Sequence, residues 1–182
     1  MPAKQRPGAL LRTTVAAILV MAATAVVGEE YLSRDAFLDL VFSRQQPDQQ
    51  QPELKTLWIT EETRAAAKAA VGWAPAALRL RYWQAGSRTA WILEDIGKHK
   101  PITLGIAVAD NHIERVDVLA FRESRGWEIR YPFFTSQFSG LRLADDGYLD
   151  KSVDGITGAT LSVQATERMA RLALWLDAQV SG

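Results

Sequence analysis

Ile102-Thr103-Leu104-Gly105-Ile106-Ala107-Val108-Ala109, then Asp110-Asn111, then Ile113-Glu114-Arg115-Val116-Asp117-Val118-Leu119-Ala120-Phe121 is the stretch that decides the fold. Two runs rich in β-branched and apolar residues flank an Asp-Asn pair, the pattern of two strands hinged by a short turn. Upstream, Leu78, Leu80 and Tyr82 alternate, and Gly86 turns the chain toward another strand through Ala90, Ile92 and Glu94. Helices are expected on both sides of this strand block. Ser33 can cap one carrying Phe37, Leu38 and Val41, and Thr60 followed by Glu61 and Glu62 opens a second that ends at Gly72. A third follows Thr160, with Val163, Met169, Leu172, Ala173 and Leu176 roughly on one face. The expected fold is α+β: a single domain with an antiparallel sheet and packed helices.

The last of these helices is entered through Asp154-Gly155-Ile156-Thr157-Gly158-Ala159-Thr160. Gly155 and Gly158 can take positive φ and bring the backbone close to a ligand. Thr160 falls where free backbone N–H groups and the positive end of the helix dipole converge, a natural place for a phosphate. A hydroxyl before an amphipathic helix is ordinarily an N-cap, and Asp154 before Gly155 is equally an Asx-type turn stabiliser. The whole string is far more specific than either feature alone. It resembles the flavinylation motif of the FMN-binding domain family, Asp-Gly-x-Ser/Thr-Gly-Ala-Thr/Ser, at every fixed position. That family includes the covalent-FMN subunits of the sodium-pumping NADH:quinone reductase and of the ferredoxin:NAD reductase complexes.

The resemblance implies that Thr160 carries FMN through a phosphoester bond, installed by a separate flavin transferase that uses FAD. An aliphatic hydroxyl is a poor nucleophile without a base or metal to activate it, so an external enzyme is chemically reasonable. Thr157, Gly158 and Ala159 would be recognition and positioning residues, and Asp154 and Gly155 would shape the loop or, for Asp154, help hold a cation during transfer. Upstream, Phe121-Arg122-Glu123-Ser124-Arg125-Gly126-Trp127-Glu128 and Phe134-Thr135-Ser136-Gln137-Phe138-Ser139-Gly140 resemble the Glu- and Gly-containing loop and the Phe…Gln-Phe-x-Gly stretch that precede the motif in the family. Glu-Ser-Arg-Gly stands here where the larger complex subunits often have Glu-Thr-Pro-Gly, which suggests a different branch. The resemblance spans about residues 78 to 178. It makes Glu123, Gly126, Trp127 and Arg122 candidate cofactor-binding residues beside the motif. Trp127, Tyr131 and Phe134 are candidate faces for the flat flavin ring, or ordinary packing residues. Arg122 and Arg125 can place positive charge near the phosphate or the reduced ring, or sit in solvent.

The N-terminus bears on location. Lys4, Arg6 and Arg12 precede an uncharged run from Thr13 to Val27, closed by Glu29 and Glu30. The run is shorter than the ~20 residues a bilayer span needs. A buried N-terminal helix of a soluble protein would show the polar periodicity that this run lacks. The run fits the apolar core of a signal peptide, with Ala23-Thr24-Ala25 as a small-residue cleavage pattern; an uncleaved anchor is the other exporting reading. Either reading exports the folded part, leaving it periplasmic or anchored to the inner membrane with the domain facing the periplasm. The expected organisation is residues 1–28 as signal or anchor, 29–77 as a helical part with a polar linker at Gln45 to Pro52, and 78–182 as the FMN-binding domain.

Composition narrows the function classes. With 182 residues and 48% hydrophobic residues, the chain can bury one core. Its formal charge is zero; removing the three basic residues of positions 1–28 leaves 18 basic against 21 acidic, a net charge of −3. No basic stripe grips nucleic acid. Without cysteine there is no disulfide, thiolate-bound cluster or Cys-x-x-Cys-His haem attachment. His99 and His112 are the only imidazoles, each expected on a solvated turn or strand edge. The sequence therefore predicts an extracytoplasmic flavoprotein that exchanges electrons with membrane redox proteins, haem proteins or another flavoprotein. The alternatives are a flavin-dependent sensor or assembly module, and a scaffold in which the loop merely caps a helix.

Overall fold

The computed structural model describes residues 29–42 and 51–181. The expected signal or anchor segment, and most of the polar linker, lie outside these residues. The chain order is β1 (Glu29–Glu30), α1 (Arg34–Phe42), β2 (Glu53–Trp58), α2 (Glu61–Val71), β3 (Arg79–Ala85), β4 (Arg88–Ile96), β5 (Pro101–Ala109), β6 (His112–Phe121), α3 (Pro132–Thr135) and α4 (Thr160–Val180). Short 3-10 turns flank α3 at Trp127–Arg130 and Ser136–Phe138. The strands form one six-stranded sheet in the order β1-β6-β5-β4-β3-β2, with every neighbouring pair antiparallel. The α+β, antiparallel expectation holds.

The β5–β6 hairpin is the centre of the sheet, and its side chains show why. Ile102, Leu104, Ile106 and Val108 point to one face, where they are buried with Met169, Leu172, Ala173 and Leu176 of α4 and with Ala67 and Val71 of α2. Gly105 and Ala107 point to the other face, beneath α1. That face needs small residues: a methyl group on Gly105 would stand 2.8 Å from the Phe37 ring. The pleat thus sorts the strand into a large-residue face under one long helix and a small-residue face under a short one. Asp110 and Asn111 both take positive φ, at 51° and 63°, as a two-residue hairpin turn demands.

The expected caps are present. Ser33 Oγ accepts from the Ala36 N–H, and Thr60 Oγ1 from the Thr63 N–H. Gly72 closes α2 in the left-handed conformation. The sequence reading placed no strand before Leu78, but β1 and β2 form the two edges of the sheet. β2 reads Glu-Leu-Lys-Thr-Leu-Trp, with charged or exposed residues at most positions. An edge strand keeps little apolar alternation because one side stays in water and charge there discourages further pairing.

α4 runs from one end of the sheet to the other across β4, β5 and β6. Near its middle, Arg168 pairs with Asp95 at the end of β4, with Nη2 to Oδ2 at 2.6 Å. At its far end the buried Asp177 accepts a 2.6 Å bond from the Thr89 hydroxyl, which accepts in turn from the Trp91 indole N–H at 2.9 Å. These two ties fix where Thr160 is presented.

Candidate functional site

Three segments meet at the start of α4: the loop Gly158–Ser162, the segment Glu123–Gly126 after β6, and the turn Gly97–Lys100 between β4 and β5. They enclose a cleft of about 390 Å3, lined by Lys98, His99, Glu123, Ser124, Arg125 and residues 158–162. That volume lies within the ~300–1,000 Å3 usual for small-molecule sites.

The motif loop is shaped by local chemistry. The Ala159 N–H donates to the Ile156 carbonyl at 2.9 Å, closing a turn with Thr157 and Gly158 at its centre. Gly158 has φ 82°, the value a type II turn requires at its third residue. Ala159 is buried and stands at the N-cap position without a side-chain cap bond. Thr160 is therefore the first helical residue and not the cap. Its side chain is exposed, and its hydroxyl makes no hydrogen bond among the described residues. Thr157, Gly155 and Asp154 are exposed as well. The Asp154 backbone N–H donates to Gln137 Oε1 at 2.8 Å, and the Gln137 amide donates to the Phe133 carbonyl at 3.2 Å. The glutamine thus joins α3 to the entry of the motif.

Gly126 seats the second segment. It has φ 87°, and a methyl group there would stand 2.7 Å from Ser162 Oγ and 3.2 Å from the Ala159 methyl. Only glycine allows both the conformation and the approach. Ser162 lies against it, 5% exposed, and lines the cleft. Its hydroxyl has no hydrogen-bond partner among the described residues. That hydroxyl opens on the cleft.

Glu123 closes the third side. Its Oε1 accepts backbone N–H bonds from Lys98 at 2.6 Å, from His99, and from Lys100 at 2.7 Å. Burial works against its ionisation, but the three donors and the nearby His99 outweigh it and hold the carboxyl below the ordinary range. Lys98 and Arg125 set two positive charges around the same cleft as this carboxylate.

The other residues singled out from the sequence sit apart. The Arg122 guanidinium reaches across the sheet to Thr103 Oγ1 at 2.9 Å and to Glu94 at 3.5 Å, and it is not among the residues lining the cleft. Trp127 is 39% exposed and packs edge-on to Tyr131, with ring centroids 5.7 Å apart. The Arg130 guanidinium lies over both rings and over Tyr31. Phe134 is wholly buried against Phe138, so it is a core residue and not a stacking face. Lys98, His99 and Ser162 carried no individual signal in the sequence. His99 is on the turn expected for it, but that turn is a wall of the cleft.

A phosphorylated cofactor fits these groups. The Thr160, Leu161 and Ser162 N–H groups open the helix, the Ser162 hydroxyl is beside them, and Lys98 and Arg125 stand on the facing walls. Free N–H groups at a helix start suit a negatively charged group. Residues 97–175 match the family model of the FMN-binding domain. The match begins in the β4–β5 turn and ends within α4, so it includes all three walls of the cleft. The match supports an FMN-binding domain over these residues and, with it, FMN as the cofactor. No curated protein matches the chain at a significant level.

Proposed function

We propose that this protein is an exported flavoprotein that holds FMN by a phosphoester to Thr160 and transfers electrons to or from membrane-associated redox partners. The observation that carries the reading is the Thr160 hydroxyl: exposed, free of internal hydrogen bonds, and set at the start of a 21-residue helix inside the matched FMN-binding domain. FMN supplies reversible electron acceptance, singly or in pairs. The protein's own residues bind and orient. Gly158 and Ala159 turn the chain so that the acceptor faces outward, and Ser162 and the first helical N–H groups are placed to bind phosphate oxygens. Lys98 and Arg125 offset negative charge. Among the described residues no base hydrogen-bonds the Thr160 hydroxyl, although His99 and Glu123 line the same cleft, which supports attachment by a separate flavin transferase using FAD. Export is supported by the basic residues and apolar run of positions 4–27, and covalent attachment would retain the flavin where free FMN is scarce.

Co-expression with a flavin transferase, followed by intact mass and peptide mapping, tests the reading. It expects the mass of FMN less one water on the peptide containing Thr160. An unmodified protein, alongside a control substrate that the same transferase modifies, would overturn it. Cell fractionation with a tagged full-length chain tests location, and retention in the cytoplasm would refute export.

A further inference from the structure

We propose that Glu123 is a positioning residue, whose carboxylate holds the Lys98–His99–Lys100 turn in place as the cationic wall of the flavin site. The inference deepens the reading of Thr160 as the FMN carrier and rests on it. Its first support is geometric. One carboxylate oxygen gathers three consecutive backbone N–H groups, 23 to 25 residues away in sequence. Consecutive N–H groups converging on one oxygen form an anion-binding concavity, and here the anion is the protein's own.

The second support is the arrangement around the turn. Gly97 starts it, and its N–H donates to the Lys100 carbonyl at 3.1 Å. A methyl group on Gly97 would stand 2.9 Å from Ile102 Cδ1 and 3.3 Å from Glu123 Oε1, so the turn and the carboxylate are packed together. Arg168 of α4 steadies the strand end that leads into it, through Asp95 and the Ile96 carbonyl at 3.4 Å. Lys98 and His99 then line the same cleft as Thr160. A carboxylate beside a flavin would ordinarily disfavour the reduced, negatively charged ring. This one, by fixing two basic side chains on the cleft, has the opposite net effect.

That reversal of sign supplies the test. The reduction potential of the FMN-loaded protein is measured for wild type, Glu123→Ala, Glu123→Gln and the Lys98→Gln/His99→Gln pair. Positioning predicts that the Lys98→Gln/His99→Gln pair and Glu123→Ala both move the potential to more negative values. Glu123→Gln, which keeps an oxygen acceptor, falls between Glu123→Ala and wild type. Adding Glu123→Ala to the Lys98/His99 pair brings no further fall, because the two act through one element. A potential that rises in Glu123→Ala and Glu123→Gln alike would make Glu123 a simple local charge and overturn the proposal.

Amide hydrogen exchange on the unloaded protein reads the clamp independently of flavin. The Lys98, His99 and Lys100 N–H groups are expected to exchange at least ~10-fold faster in Glu123→Ala, the equivalent of ~1.4 kcal/mol of lost protection. Unchanged exchange would also overturn the proposal. A wild-type protein that takes no flavin, yet shows the accelerated exchange in Glu123→Ala, would refute the FMN reading while leaving the clamp intact.

Discussion

Gly126 and Ser162 are in contact across the floor of the cleft, close enough that a methyl group on the glycine would come within 2.7 Å of the serine oxygen. The backbone of Gly126 is also left-handed, so Gly126→Ala combines strain with a collision. It should destabilise the fold by ~1–3 kcal/mol, the range for a residue forced into this region, and displace the start of α4. Gly158→Ala is the control: φ is similar at 82°, but nothing lies within 4 Å of the new methyl. It should cost only about 1 kcal/mol. Denaturant unfolding of both variants measures the difference.

Thr160→Val separates acceptor from fold. The hydroxyl has no internal partner and the side chain is exposed, so stability should remain within about 0.5 kcal/mol of wild type. Flavin attachment should be lost completely. Intact mass reads the second effect and thermal melting the first; covalent flavin surviving on the valine variant would assign the linkage elsewhere.

Ser162→Ala should have opposite effects on the empty and loaded protein. Removing a hydroxyl that opens on the cleft and bonds to none of the described residues sacrifices no internal hydrogen bond, so the unloaded variant should melt at or slightly above the wild-type temperature. Binding of free FMN should weaken by about 10- to 150-fold, the equivalent of the ~1.5–3 kcal/mol of a hydrogen bond to a charged group. Riboflavin, without the phosphate, should show little difference between variant and wild type. Titration of both ligands by fluorescence tests this, and equal losses for the two would place Ser162 away from the phosphate.

Asp177 provides a pH signature far from the site. Burial raises its carboxyl above the ordinary range, against the lowering effects of the Thr89 and Ser181 hydroxyls. For an acid raised in the folded state, the stabilising contribution is present below the unfolded pKa and is lost as pH rises through the folded value. Asp177→Asn keeps an oxygen for Thr89 and removes the charge. Its melting temperature should equal or exceed that of wild type at pH 7, with the advantage shrinking toward pH 4. Melting curves across that interval check the sign.

The sequence was most legible where one residue type answers one local need. Asp110-Asn111 signalled the central turn, Thr60 and Gly72 bounded α2, and the glycines around Thr157 and Ala159 marked a loop that leads into a helix. Legibility ended where a residue's role depends on a distant partner. Lys98-His99-Lys100 looks like a solvated turn until Glu123 is known to reach it. Ser162 looks like an ordinary helical residue until Gly126 is found above it. Arg122 lies one residue from Glu123, but the strand's alternation directs it toward Thr103 and Glu94 on the neighbouring strands. β2 gave little sign because edge strands are selected against the very apolar pattern that would reveal them.

The anchoring of α4 bears on the order of events in the protein's life. The helix is about 30 Å long, bound to Thr89 at its far end and to Asp95 nearer its start, yet its first side chain is exposed. A modifying enzyme could therefore meet the acceptor on the finished domain, with no segment to unfold. On the proposed reading, flavin attachment would follow folding and need no unfolding of α4.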